Sequence, residues 1–236
     1  MNGKTHALIG CASVLPAAVA SGASVPEIAL LTTVSVAFSL GPDIDHPNAT
    51  VSRVFGRTVH LVVHGMSGAA RKVTATRLDA VRAERAQARG IDVDHRALTH
   101  TLPFAAAMAG GAYAVAHHPF LVAALSAVCA VTVWPRLGRR YRPAVFGAAL
   151  AVLVFGYQVA PEAEHVALAA AAGWVSHILA DACTRAGVPL LWPMKVRGAR
   201  WYRVRLLGRF ITSGERKDYV AALGVALVMN LPLLAM

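Results

Sequence analysis

The chain has 236 residues, of which 56% are hydrophobic and only 15% are charged. A soluble domain has about 45–50% apolar and about 25% charged residues, so the composition excludes an ordinary soluble globular protein and indicates a membrane protein. The net charge of +11 does not require a nucleic-acid partner, because all 23 cations lie in four places separated by apolar runs. These four places are Lys4, 53–96, 136–142 and 185–217.

Seven apolar segments follow one another along the chain. Continuous apolar runs broken by proline, glycine and charge are typical of helices in lipid, where an open strand leaves its backbone groups unsatisfied. The first two are shorter than the ~20 residues of a full crossing, so they are tilted or end within the membrane. The sequence therefore predicts an all-α, polytopic transmembrane bundle of about seven helices. The segments are 6–20, 28–40, 102–116, 120–134, 144–160, 165–182 and 219–236.

The distribution of charge predicts the orientation of this bundle. With a cytoplasmic N-terminus, seven crossings place every basic stretch inside and leave only Glu27, Glu162 and Glu164 in the outer turns. The basic stretches then face anionic lipid headgroups of the bilayer. No linker or internal repeat divides the chain, so we expect one domain, 1–236, with a basic cytoplasmic insertion at about 65–92.

Within the long polar stretch before the third segment, residues 71–89 predict one charged helix. Its apolar residues, Val73, Leu78 and Val81, form only a narrow stripe. Such a helix is expected to lie on the membrane surface or loosely against the domain. This pattern favours a surface element over a functional helix.

Two carboxylates and an imidazole follow the second segment at once, in Gly41-Pro42-Asp43-Ile44-Asp45-His46-Pro47. Aspartate and histidine are ligands that divalent metals take, and the two prolines stiffen the backbone that presents them. The alternative is a loop in which the acids cap a helix. By itself this short motif does not decide between the two.

Three further polar clusters fall at the same cytoplasmic depth: His6, the pair His95 and His100, and the pair His177 and Asp181. An ionisable group in a spanning helix is costly and normally faces the bundle interior. His177 and Asp181 are four residues apart, so they share one helix face and bind one ion or form a hydrogen bond that ties helices together. His95 and His100 converge only if His95 precedes the helix; otherwise they are interfacial histidines.

These residues lie in blocks by which the chain resembles the YdjM-like family of bacterial inner-membrane, metal-dependent hydrolases. The blocks are His6, GPDIDHP (41–47), HRALTH (95–100), GWVSHILADACTRAGVPLLWP (173–193) and, more weakly, TSGE (212–215). The chain differs from the family pattern in its basic insertion and in Gly41, where leucine is more usual before Pro-Asp. The resemblance implies a location in the bacterial inner membrane.

The resemblance also implies a helical protein whose histidines and aspartates bind metal. It further implies distant similarity to the zinc-dependent phospholipase C and P1 nuclease group, helical enzymes that cleave phosphoesters with clustered metals. Carried over position by position, it marks as metal ligands His6, Asp43, His46, His95, His100, His177 and Asp181, with Asp45 beside them.

The sequence thus predicts a hydrolase with one to three divalent ions, zinc first, although manganese and iron also accept these ligands. Asp43 or Asp45, whichever is not a ligand, is the expected general base. Arg96 is placed to meet a phosphate, or else it is a cation that snorkels to the interface. A pocket at headgroup depth favours a phospholipid or another amphiphilic phosphoester as substrate.

Two other functions fit the same residues. A metal or proton transporter would use them as a pathway, although a pathway also needs polar groups in the outer half of the membrane. A non-catalytic scaffold would use them to hold a structural metal, closed by protein ligands.

Overall fold

A computed structural model describes residues 3–46, 49–91, 96–133, 143, 161–207 and 215–234. Over these ranges the protein is all-α, with eight α-helices and no strand beyond two isolated bridges. Two 3-10 turns, Gly41–Asp45 and Leu98–His100, precede α3 and α5. The helices are α1 (Gly3–Ala20), α2 (Val25–Leu40), α3 (Thr50–Thr74), α4 (Arg77–Gln87), α5 (Leu102–Ala116), α6 (Pro119–Val133), α7 (Ala163–Ala182) and α8 (Glu215–Leu234).

The predicted helical class is confirmed. Six of the seven apolar segments coincide with α1, α2, α5, α6, α7 and α8, and the predicted segment 102–116 matches α5 end to end. The seventh, 144–160, lies outside the described residues. Among the described helices, one stretch, Val25–Asp45, is long and apolar enough to cross a membrane, while Leu102–Ala116 and Phe120–Ala130 are apolar but shorter. The number of crossings and the orientation stay predictions.

The prediction of one charged helix over 71–89 is wrong. The chain breaks at Ala75, which is extended, and α4 then starts after Thr76. The Thr76 hydroxyl accepts a hydrogen bond from the Asp79 backbone N–H, and the Asp79 carboxylate accepts one of 2.8 Å from the Thr76 N–H. This is a capping box, and its T-x-x-D pattern is visible in the sequence. The break lets α4 pack separately from α3.

Small residues bring α1, α2 and α7 unusually close together. A side chain at Gly10 would clash with the Ser39 side chain, and one at Gly173 would lie 2.2 Å from the Ser35 carbonyl oxygen. The close approach lets Ser35 donate a 2.8 Å hydrogen bond to the Gly10 carbonyl, and Ser39 a 2.9 Å bond to the His6 carbonyl. Glycine and serine at such contacts are typical of helices packed in membranes.

Trp174 of α7 packs against Gly41, the first residue of the 41–47 motif. Its ring packs edge-on against Phe38, and its indole N–H donates a 2.8 Å hydrogen bond to the Thr99 carbonyl. A β-carbon at Gly41 would lie 2.4 Å from the Trp174 ring. A larger side chain at Gly41 would therefore displace the tryptophan.

Replacing Gly173 with alanine is expected to destabilise the protein by roughly 1–3 kcal/mol, because the new methyl group must push α7 away from the α2 backbone. The matched control is Gly110→Ala in α5, where an added β-carbon meets nothing within 4 Å. Thermal unfolding in detergent measures both. An equal loss in the two variants would contradict the proposed close packing.

Candidate metal centre

Four side chains from three parts of the chain converge at the end of α2. Asp43 comes from the turn after α2, His100 from the turn before α5, and His177 and Asp181 from the last turns of α7. One ligand atom from each lies within 4.8 Å of all the others. Three of the side chains are at most 1% exposed, whereas Asp43 is 23% exposed, so the cluster opens to its surroundings on the side of Asp43.

The distances between these ligand atoms are close to those between ligands of a tetrahedrally coordinated ion. His177 Nε2 lies 3.3 Å from His100 Nε2, 3.6 Å from Asp43 Oδ1 and 3.7 Å from Asp181 Oδ2. His100 Nε2 lies 3.5 Å from Asp181 Oδ2 and 3.9 Å from Asp43 Oδ1. Four ligands about 2.0–2.2 Å from a zinc ion stand about 3.3–3.6 Å apart in a tetrahedron. The residues present therefore fit a small divalent cation.

Hydrogen bonds to the far side of each imidazole set its protonation. His177 Nδ1 lies 2.7 Å from the Ser39 carbonyl, which only accepts, so Nδ1 carries the proton. The Thr99 hydroxyl donates to Asp45 and accepts from His100 Nδ1 at 3.0 Å. Burial lowers the pKa of His100 to about 4, so its ring is neutral at pH 7. Each ring turns its Nε2 toward the other ring and toward the two carboxylate oxygens, an arrangement that a cation would stabilise.

Asp45 contacts Thr99, the residue before His100. Its Oδ2 accepts a 3.2 Å hydrogen bond from Thr99, and its buried Oδ1 has no hydrogen-bond partner among the residues the structure describes. A carboxylate that orients a ligating histidine in this way is a common support of metal sites. Sequence reasoning missed Thr99, although its place beside His100 was a signal. It also missed Ser39, which acts through its carbonyl and leaves no side-chain pattern.

Arg96 forms an ion pair with the buried carboxylate of Asp181. Its Nε lies 2.8 Å from Asp181 Oδ2, and its Nη1 donates to the Thr184 hydroxyl. Arg96 is 8% exposed; its two expected roles, contact with a phosphate and a cation at the interface, stay predictions. This ion pair holds Asp181 Oδ2 at the cluster.

The remaining predicted ligands lie at different places. The His6 ring is buried and stacks on His177 at 3.7 Å, with its Nε2 3.6 Å from Asp181 Oδ1, so it adjoins the four-residue group. His46 is half-buried and is not a member of that group; its carbonyl accepts a 2.6 Å hydrogen bond from Ser52. His95 lies outside the described residues.

Replacing Thr99 with valine is expected to weaken metal binding about 10–100-fold, the usual effect of removing a group that orients a ligating histidine. Valine keeps the volume but loses both hydrogen bonds of the hydroxyl. Competition with a zinc-chelating dye measures the affinity. Thr132→Val, which removes another buried hydroxyl in α6, should leave that affinity unchanged; equal weakening in both variants would contradict the role of Thr99.

Comparison with known proteins supports the family that the motifs indicate. The family model described as YdjM inner membrane protein matches residues 1–235, nearly the whole chain. No match was found among curated proteins or among solved structures. All the motifs quoted above lie inside the matched range. The chain therefore belongs to the YdjM inner membrane protein family.

Proposed function

We propose that this protein is a membrane-bound, metal-dependent hydrolase that cleaves a phosphoester. The observation that supports it best is the cluster of two imidazole nitrogens and two carboxylate oxygens that all lie within 4.8 Å of one another. Imidazole and carboxylate suit zinc, which we propose as the ion, held by Asp43, His100, His177 and Asp181.

When bound, a divalent ion supplies Lewis-acid polarisation of a phosphoryl oxygen and acidifies a water molecule. Asp43 is the most exposed ligand, so the substrate approaches from its side. Arg96 balances the charge of Asp181 through its Nε, while its Nη1 donates to Thr184. We assign Asp45 the role of holding His100 through Thr99, because its carboxylate contacts that hydroxyl.

We further propose a seven-helix bundle with a cytoplasmic N-terminus and the metal centre at the cytoplasmic leaflet. The confinement of all 23 cations to stretches on one side supports this orientation. A centre at that depth favours a phospholipid or another amphiphilic phosphoester as substrate. We propose for this protein the reaction class of the zinc-dependent phospholipase C and P1 nuclease group, the cleavage of a phosphoester.

A closed structural metal site is the second candidate function. Four protein ligands complete the tetrahedron of a structural zinc, whereas a catalytic zinc keeps one position for water. The hydrolase therefore requires that Asp43 yield its position or that the ion accept a fifth ligand. Transport has less support, because the group of four is the single metal-binding cluster in the described part of the chain.

The deciding experiment measures bound metal and hydrolysis on the same preparation. Protein purified in detergent without chelator is assayed with phospholipid vesicles and with a chromogenic phosphomonoester, before and after chelation. The hydrolase predicts that chelation abolishes turnover and that Asp43→Asn lowers it by more than about 100-fold. Stoichiometric metal without hydrolysis would overturn the hydrolase and favour the structural metal site. Protein that never holds metal would overturn both.

A further inference from the structure

A second polar site lies at the surface, between α4 and the basic chain that follows α7. It is a cavity of about 570 Å³, a size typical of sites for small ligands. Trp201 and Tyr202 form part of its wall, and Asp79 is the one acidic residue among the described residues that line it. Six of the lining residues are arginines: Arg71, Arg82, Arg85, Arg89, Arg203 and Arg205.

Asp79 links α4, on one side of this cavity, to residues 200 and 201 on the other. Asp79 accepts hydrogen bonds from the backbone N–H groups of Thr76, Arg200 and Trp201, at 2.8, 3.2 and 3.0 Å. Burial would raise the pKa of Asp79, but these hydrogen bonds hold that pKa below its usual value. Asp79 is therefore a carboxylate at neutral pH that joins α4 to the basic chain, and the arginines remain in large excess over it.

Aromatic rings hold two of the arginines in place. The Arg71 guanidinium lies 5.5 Å from the centre of the Trp201 ring, and that of Arg82 lies 5.3 Å from the centre of the Tyr202 ring. Stacking on a ring fixes the plane of a guanidinium. Arg82 Nη1 is buried and has no hydrogen-bond partner in the described ranges. A buried charged donor without an acceptor is costly, so this atom indicates the place of an anion.

Exposed apolar side chains lie next to cavity-lining residues in the chain. Leu78 and Val81 on α4, which are 38% and 39% exposed, flank the lining residues Asp79 and Ala80. Leu206 and Leu207 are also exposed and follow the cavity-lining Arg205. Cations beside exposed apolar residues are typical of a surface that lies in the headgroup region of a bilayer.

We propose that this cavity, the arginine pocket, binds the phosphate headgroup of an anionic phospholipid. Arginine forks suit phosphate oxygens, and several act on one headgroup at once. The exposed apolar side chains next to its lining residues favour a lipid over a free phosphate, because they would meet the acyl chains that a soluble anion lacks. The proposal does not depend on hydrolysis at the metal centre.

The test compares two double variants that each remove two cations. Arg85→Gln/Arg89→Gln changes the exposed rim of the arginine pocket, whereas Lys72→Gln/Arg77→Gln changes exposed cations of the same region that do not line it. Binding of phosphatidylglycerol and phosphatidylcholine to the full chain in detergent is measured by native mass spectrometry. We expect wild type to prefer phosphatidylglycerol, the pocket variant to bind it about tenfold more weakly, and the control to stay within about twofold.

Competition with inorganic phosphate and with glycerol phosphate separates the lipid from a soluble anion. If inorganic phosphate displaces the lipid at equal concentration, the pocket is a site for a soluble anion and the lipid proposal fails. Equal weakening in both double variants would show a diffuse effect of charge and would also overturn it. Metal content and thermal unfolding should be the same in both variants, which separates this result from any failure at the metal centre.

Discussion

Replacing His177 with alanine is expected to lower the metal content of the purified protein from about one ion per chain to background. Removing a group that merely orients a ligand costs 10–100-fold in affinity, so removing a central ligand should cost more than about 100-fold. His177 Nε2 lies within 3.7 Å of all three other ligand atoms, so its loss removes a ligand from the middle of the group. Elemental analysis of protein purified without chelator measures the result.

The matched control for this prediction is His118→Ala. His118 is exposed and lies in the turn before α6, away from the four-residue group. It should keep the metal content of the wild type. Equal and negligible metal in wild type, variant and control would end the interpretation of the cluster as a metal centre, while membership of the family would stand.

Replacing Arg96 with glutamine is expected to lower the free energy of unfolding of chelated protein by about 3–5 kcal/mol, the usual cost of leaving a buried charge unpaired. Asp181 is 1% exposed and loses its guanidinium partner in this variant. A divalent ion would restore an opposing charge, so the loss should be smaller in metal-loaded protein. Unfolding in detergent with and without zinc measures the difference.

Arg57→Gln is the control for that experiment, because Arg57 is an exposed cation on α3. It should change stability little in either condition. The decisive quantity is the difference between the two conditions in the Arg96 variant. An equal loss with and without zinc would mean that Asp181 does not contact the ion, and the four-residue set would have to be revised.

Local sequence rules predicted much of this protein. The i,i+4 spacing of His177 and Asp181 placed both on one face of α7, and the structure brings them to one cluster. The apolar runs predicted six of the eight described helices, because lipid and a buried core both require satisfied backbones. The other two, α3 and α4, lie in the polar stretch between the second and third apolar runs. The membrane depth of each polar residue then predicted that Asp43 and His100 would meet this pair.

What could not be predicted depends on contacts between distant parts of the chain. The Ser39 carbonyl orients His177 only because the glycines of α1 and α7 let three helices approach closely. The arginine pocket exists because Asp79 bonds the backbone of residues 121 and 122 positions later. Neither contact has a periodicity or a spacing that a single sequence displays.

The origin of the four ligands bears on the biosynthesis of the protein. Asp43 and His100 reach the membrane early, but His177 and Asp181 emerge only after three quarters of the chain has been translated. A nascent chain that ends before α7 lacks two of the four ligands and should not retain an ion. At the proposed metal centre, loading would therefore follow synthesis of α7, and an ion would join residues that were translated far apart in time.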